Sequence, residues 1–170
     1  FFYVTARKGY RGGGINAPEL GGILTDYQYF EPETLKDVEL GAKVDWRSGD
    51  VEGRFNLAAY RGKYRNIQGN ASSIPANFDG DDNPSNDPAS STLVVNRGAA
   101  TIQGLELDGF VSPFQGLTLN FGAAYTDAKF TNFDLPPLFS SLSSGTPSFK
   151  ATPDWTMSGG VRYEAELGSD

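Results

Sequence analysis

The chain repeats, segment after segment, a two-residue hydrophobic period in which one phase carries no charge. Between Leu35 and Trp46, the residues Val38, Leu40, Ala42, Val44 and Trp46 alternate with Asp37, Glu39, Gly41, Lys43 and Asp45. A helix would scatter each set around its circumference, whereas an extended strand sends alternate side chains to opposite faces. Ser48-Gly49-Asp50 has the composition of a tight turn. Beyond it, Val51, Gly53, Phe55, Leu57 and Ala59 stand against Glu52, Arg54, Asn56, Ala58 and Tyr60. Together the two segments predict a hairpin with an uncharged face, on which Leu40 is expected near the middle of the apolar band.

The same reading extends along the chain. Phe2, Val4 and Ala6 oppose Tyr3, Thr5 and Arg7, and Leu105, Leu107, Gly109 and Val111 oppose Glu106, Asp108 and Phe110. After a turn at Ser112–Gly116, Leu117, Leu119, Phe121, Ala123 and Tyr125 oppose Thr118, Asn120, Gly122 and Ala124. Finally Trp155, Met157, Gly159, Val161, Tyr163 and Ala165 oppose Thr156, Ser158, Gly160, Arg162 and Glu164. No apolar set contains a charged residue. On the other phase, Arg7, Lys43, Arg54 and Arg162 share a face with Asp37, Glu39, Glu106 and Asp108, so cross-strand charge pairing is available.

Two architectures alternate in this way, a soluble β-sandwich and a membrane β-barrel. The regular stretches exceed the five or six residues of ordinary soluble strands and suit the roughly 9–11 residues that cross a tilted bilayer. The connections favour the barrel more strongly. Gly12–Thr34, Gln68–Thr92 and Phe130–Thr152 are long, Arg47–Asp50 and Ser112–Gly116 are minimal, and the two kinds alternate along the chain. Long loops on one side and short turns on the other are the habit of transmembrane barrels, while compact soluble domains rarely carry loops so long. The expected fold is therefore all-β, an antiparallel transmembrane barrel segment of about six strands.

Other classes are excluded or weakened by composition. The chain has neither Cys nor His, which removes disulfides, thiol nucleophiles and zinc clusters. A formal charge of −7 argues against nucleic acid, which selects basic surfaces. No signal peptide opens the chain and no apolar run is long enough for a transmembrane helix. Both ends read as cuts within a longer pattern. Asp79, Asp81 and Asn83 have the spacing that opens a calcium loop, but Pro84 and Ser90 occupy the places of its Gly and its final Glu, leaving a solvated acidic loop. Gly12-Gly13-Gly14 is followed by no helix and is not a phosphate cradle. Asn70-Ala71-Ser72 is a glycosylation sequon by pattern alone. Neither cofactor nor catalytic site is expected.

Several segments resemble one family of proteins. Phe1-Phe2-Tyr3-Val4-Thr5-Ala6-Arg7-Lys8-Gly9-Tyr10-Arg11-Gly12-Gly13-Gly14-Ile15-Asn16 resembles the Y-x-x-x-x-K-G-[FY]-R-x-G-G-x-N strand of TonB-dependent receptors. Pro32–Lys43 is similar to their P-E-x-L-x-x-Y-E-L-G-x-K strand, with Val38 where the family often has Tyr, and Leu57–Gln68 is similar to the strand that follows. Gly104-Leu105-Glu106-Leu107-Asp108 matches G-x-E-x-E, and Thr152-Pro153-Asp154-Trp155-Thr156 matches x-P-x-W-t. The segments come in the family's order across nearly the whole chain.

The resemblance implies a bacterial outer-membrane receptor with a barrel of roughly 22 strands, of which these would be about the thirteenth to eighteenth. It also implies a plug domain and final strands lying outside this chain. Function would be uptake of a scarce nutrient such as a ferric siderophore, cobalamin or a glycan, energised by TonB through the plug. Such a receptor is not an enzyme. A passive porin and a secreted sandwich-type binding module are the alternatives. Tyr10, Arg11, Tyr27, Tyr29 and Phe30 are candidates for a ligand vestibule, since aromatic and Arg groups suit siderophores and sugars. Arg61, Lys63 and Arg65 continue the uncharged phase of Val51–Ala59 just beyond the apolar band. Unless a bulge flips them, they are expected to face outer-leaflet lipid, with lipopolysaccharide phosphates as partners.

Overall fold

The computed structural model describes residues 1–16, 22–71, 93–133 and 152–165, with Asn83 and Phe149. Its main element is one antiparallel six-stranded sheet built from β1 (Phe2–Arg11), β4 (Glu33–Ser48), β5 (Val51–Arg65), β8 (Gly98–Phe114), β9 (Leu117–Phe133) and β10 (Trp155–Tyr163), in that spatial order. Each strand pairs with the next of the six, an up-and-down meander. Two ribbons sit between them: β2 (Gly14–Ile15) with β3 (Tyr29–Phe30), and β6 (Gln68–Ala71) with β7 (Leu93–Asn96). A 3-10 turn, Gly22–Tyr27, leads into β3.

The register keeps both phases intact. Val4 pairs with Leu40, which pairs with Ala59, then Leu105, Tyr125 and Trp155. The next rows run Phe2, Ala42, Leu57, Leu107, Ala123, Met157, and then Val44, Phe55, Gly109, Phe121, Gly159. Among the described residues nothing packs on this face: Leu40 is 57% exposed, Met157 73% and Val4 71%. A sandwich would need a second sheet there, and the described strands supply none. The buried apolar residues, Ala71, Leu93, Val95 and Ala100, lie instead at the end of the sheet that carries the long connections.

Uncharged rows extend from Leu40 to Ser48 on β4, about 27 Å along the strand and about 20 Å in height once tilted. Aromatic pairs mark the upper edge: Tyr125 and Trp155 share the Leu40 row, with ring centroids 5.0 Å apart. Lower down, Trp46 stacks on Phe55 and Phe55 meets Phe121 across Gly109. Leu40 therefore stands at the rim of the band, whose middle row is that of Val44. The sequence expectation for Leu40 is corrected because a single strand shows where charge ends on itself, while the band's edge is set where its neighbours' charges begin.

Four connections also differ from expectation. Ser112 and Pro113 belong to β8, which bulges between Val111 and Phe114, so the turn contracts to Gln115-Gly116. Proline lacks the ladder N–H, and a bulge is where a strand tolerates it. Gly116 takes φ 90° and Gly49, at the other tight turn, φ 62°, conformations that favour glycine. Glu33 and Thr34 open β4, Gln68 begins a ribbon rather than a loop, and β9 continues through Phe130 to Phe133.

Candidate functional site

The polar face is a ladder of paired charges. Arg7 lies opposite Asp37, and its Nη2 donates to Asp37 Oδ2 and Glu39 Oε2, each at 2.6 Å. Tyr3 donates its hydroxyl to Glu39 Oε1 at 2.7 Å while its ring covers Gly41, where a Cβ would collide with it. Arg54 Nε reaches Asp45 at 2.5 Å, Asn56 donates to Asp108 at 2.8 Å, and Arg47 binds Glu52 across the tight turn. Lys43 lies 5.9 Å from the Tyr3 ring centroid. Arg162 departs from the cross-strand pattern by binding Glu164 of its own segment. Asp37, Glu39, Asp45, Glu52 and Glu164 are spent on neighbouring cations and Asp108 on an amide, so the face is a wetted wall of largely paired charges.

Above this wall the long connections are tied together by side-chain amides, those of Asn16, Gln28 and Gln68 buried. Asn16 Nδ2 donates to the carbonyls of Tyr27 and Val94, and Asn16 Oδ1 accepts from Val94 N, all at 2.8 Å. Gln28 Nε2 donates to Asn16 O. Gln68 Nε2 donates to Gly12 O at 2.8 Å and Glu31 O at 3.0 Å, while Glu33 accepts from Gln68 N and from the Tyr64 hydroxyl. Asn96 bridges Glu31 O and Asn66 O. The clamp joins the first long connection to the second. Burial, then the neighbouring Asp26, pushes the Tyr27 phenol pKa up. Arg97, folded over Gly69, has its pKa pulled down by burial, and its Nε finds no hydrogen-bond partner among the described residues.

Of the vestibule candidates, Tyr29 and Phe30 form one strand of the first ribbon and Tyr27 ends the 3-10 turn that leads into it: Tyr29 is exposed opposite Ile15, and Phe30 lies against Gly14. Arg11, opposite Glu33, is in phase with Arg7 on the polar side. Tyr10 is in phase with Lys8 on the opposite side and is 81% exposed. The clamp residues Gln28 and Asn96 have no single-sequence signal, because polar loop residues read as solvated until their partners are placed; Asn16 and Gln68 close two segments that carry the family resemblance, which marks them without showing what they bind. Asp79 and Asp81 lie outside the described residues, as does the calcium-loop reading they carry.

β5 runs straight through Arg65. It pairs with β4 from Ser48–Val51 to Thr34–Arg65, and with β8 from Ser112–Glu52 to Ala99–Arg65, without a register shift. Arg61, Lys63 and Arg65 thus stay on the phase of Leu57 and Ala59, all three exposed. Lys8 lies opposite Lys36, Lys36 opposite Lys63, Lys63 opposite Thr101, and Thr101 opposite Lys129. Lys8, Lys36 and Lys129 were legible as continuations of the phases of Ala6, Val38 and Tyr125, but only the register shows that they form a row.

An open meander with one uncharged face, one charged and largely paired face, tight turns at one end and long connections at the other is the wall of a transmembrane β-barrel. The family model described as TonB dependent receptor-like, beta-barrel, matches residues 1–169, and the chain belongs to that family. No curated protein and no solved structure matches the chain.

Proposed function

We propose that these strands are part of the barrel wall of a bacterial outer-membrane receptor that imports a scarce ligand such as a ferric siderophore. Energy is relayed by TonB through a plug that lies outside this chain, within a barrel of roughly 22 strands. The receptor transports and does no covalent chemistry. The observation that carries the reading is the family match along a sheet whose two faces suit lipid and a polar lumen. Tyr29 and Phe30 on the clamped ribbon and Tyr27 just before it, with Arg11 below, offer aromatic and cationic surface at the mouth, where such ligands are captured. Tyr10 serves the outer rim. On the other face, Arg61, Lys63 and Arg65 meet the headgroup level of the outer leaflet.

The test is uptake by the full-length protein in a receptor-deficient Gram-negative host. Labelled ferric siderophores are expected to enter only when TonB is present, and Tyr29→Ala with Phe30→Ala is expected to weaken binding while the barrel still assembles. Entry that persists without TonB would make the protein a passive porin.

A further inference from the structure

We propose that the exposed lysines of β1, β4, β5 and β9 form one binding belt for the phosphates of an outer-leaflet glycolipid, extending Arg61 and Lys63 sideways into a multivalent site. The inference rests on the outer-membrane reading above. Three observations carry it.

The first is position. The row Ala6, Val38, Arg61, Gln103, Asp127 is the first beyond the Leu40–Tyr125–Trp155 rim, and the row Lys8, Lys36, Lys63, Thr101, Lys129 is the second. Two and four residues along tilted strands place them about 5 and 10 Å above the rim. That is the depth of the polar headgroup layer, which adds roughly 5–8 Å on each side of the hydrocarbon, and long side chains reach back into it. The β8–β9 bulge at Ala99/Ala100 falls beyond this row and leaves it intact.

The second is repulsion. Directly opposite residues in an antiparallel pair have Cα atoms about 4.5–5.5 Å apart, and like charges so placed destabilise the sheet. Lys8, Lys36 and Lys63 break that rule twice in succession, over four strand spacings that reach about 19 Å to Lys129.

The third is the missing counter-charge. On the polar face Arg7, Arg47, Arg54 and Arg162 each hold a carboxylate, while Lys43 stands over the Tyr3 ring. On the belt only Lys129 does, with Asp127 at 2.8 Å. Among the described residues Lys8, Lys36, Arg61, Lys63 and Arg65 have no ion-pair partner. A protein of net charge −7 that leaves these cations together and unpaired, against lipid, has placed them for an external anion. Phosphate fits, because ammonium and guanidinium groups both give it charge-assisted hydrogen bonds, and the continuity with the apolar band selects a phosphate attached to acyl chains.

The test uses the full-length protein in phosphatidylcholine nanodiscs doped with bis-phosphorylated lipid A. Lys8→Gln, Lys36→Gln and Lys63→Gln together are expected to weaken lipid A retention, read by native mass spectrometry, by about tenfold, the sum of three solvent-screened contacts. Lys43→Gln, on the polar face, is expected to leave it unchanged. Equal retention by the triple variant and the wild type overturns the proposal. So does displacement of lipid A by inorganic phosphate at matching concentration, which would make the row a site for a soluble anion. Should the triple variant fail to assemble, nitroxide labels on single Lys63→Cys and Lys43→Cys variants decide: the first is expected to broaden the lipid A phosphorus resonance and the second not, and the reverse overturns the belt. A label on Leu40→Cys separates the two readings. If it does not contact acyl chains, the membrane-facing assignment has failed and the belt with it; if it does, any loss is the belt's alone.

Discussion

At the scale of single residues, alternation decides the face and the neighbours decide the depth. Val44 and Leu40 share a face on β4, yet Val44 sits in the middle row of the uncharged band and Leu40 shares its row with Tyr125 and Trp155. Val44→Arg is therefore expected to destabilise the assembled barrel by about 2–4 kcal/mol and Leu40→Arg by about 0–1 kcal/mol. Urea unfolding of the full-length protein in bilayers measures both, and a larger penalty at Leu40 would mean that the band is centred elsewhere. On the polar face, Arg7→Met leaves Asp37 and Glu39 without their shared cation. Because Arg7 is half exposed and solvent screens its bonds to the two partly covered carboxylates, the same measurement should show a loss smaller than that from Val44→Arg. The polar face was legible in Asp37, Glu39 and Arg7 themselves. That Arg162 would choose Glu164 was not, since pairing depends on which side chain arrives within reach.

At the scale of elements, the strand cores and the order of long and short connections were legible, and the bounds and contents of the connections were not. The strand cores from Val38 to Trp46 and from Leu117 to Tyr125 announce themselves by period, but β8 and β9 continue well past it. Gly98–Gly104 and Thr126–Phe133 extend the ladder through backbone pairing, which their side chains do not advertise. The long connections hold ribbons clamped by Asn16, Gln28, Gln68 and Asn96. Asn16→Ala removes two donors and one acceptor from Tyr27 and Val94, and a buried polar group left unsatisfied costs about 1–3 kcal/mol. Hydrogen exchange at the Val94 amide is expected to accelerate by on the order of tenfold or more, while amides in the middle of β5 keep their protection. Unchanged exchange at Val94 would show that β6 and β7 hold the second connection without help from the first.

At the scale of the whole molecule, the six strands make a wall with two free edges. β1 pairs only with β4 and β10 only with β9 among the described residues. Unpaired backbone groups cannot sit in hydrocarbon, and in water an exposed edge beside an apolar face recruits other chains. The 170-residue segment expressed alone is expected to aggregate in water and to give no heat-modifiable monomer in detergent, as gel mobility before and after boiling will show. A cooperative, soluble, monomeric unfolding transition would instead require a closed core, which the described residues lack. By itself the sequence determined the all-β class, the two faces, the family and the alternation of long and short connections, because each depends on side-chain period and motif order along one strand or one turn. Only the tertiary structure decided which row is the rim, that Lys8, Lys36, Lys63 and Lys129 stand side by side, and that Asn16 closes one connection onto another. Those facts belong to pairs of residues far apart in the chain, and register, set by backbone hydrogen bonds between strands, is what brings them into contact.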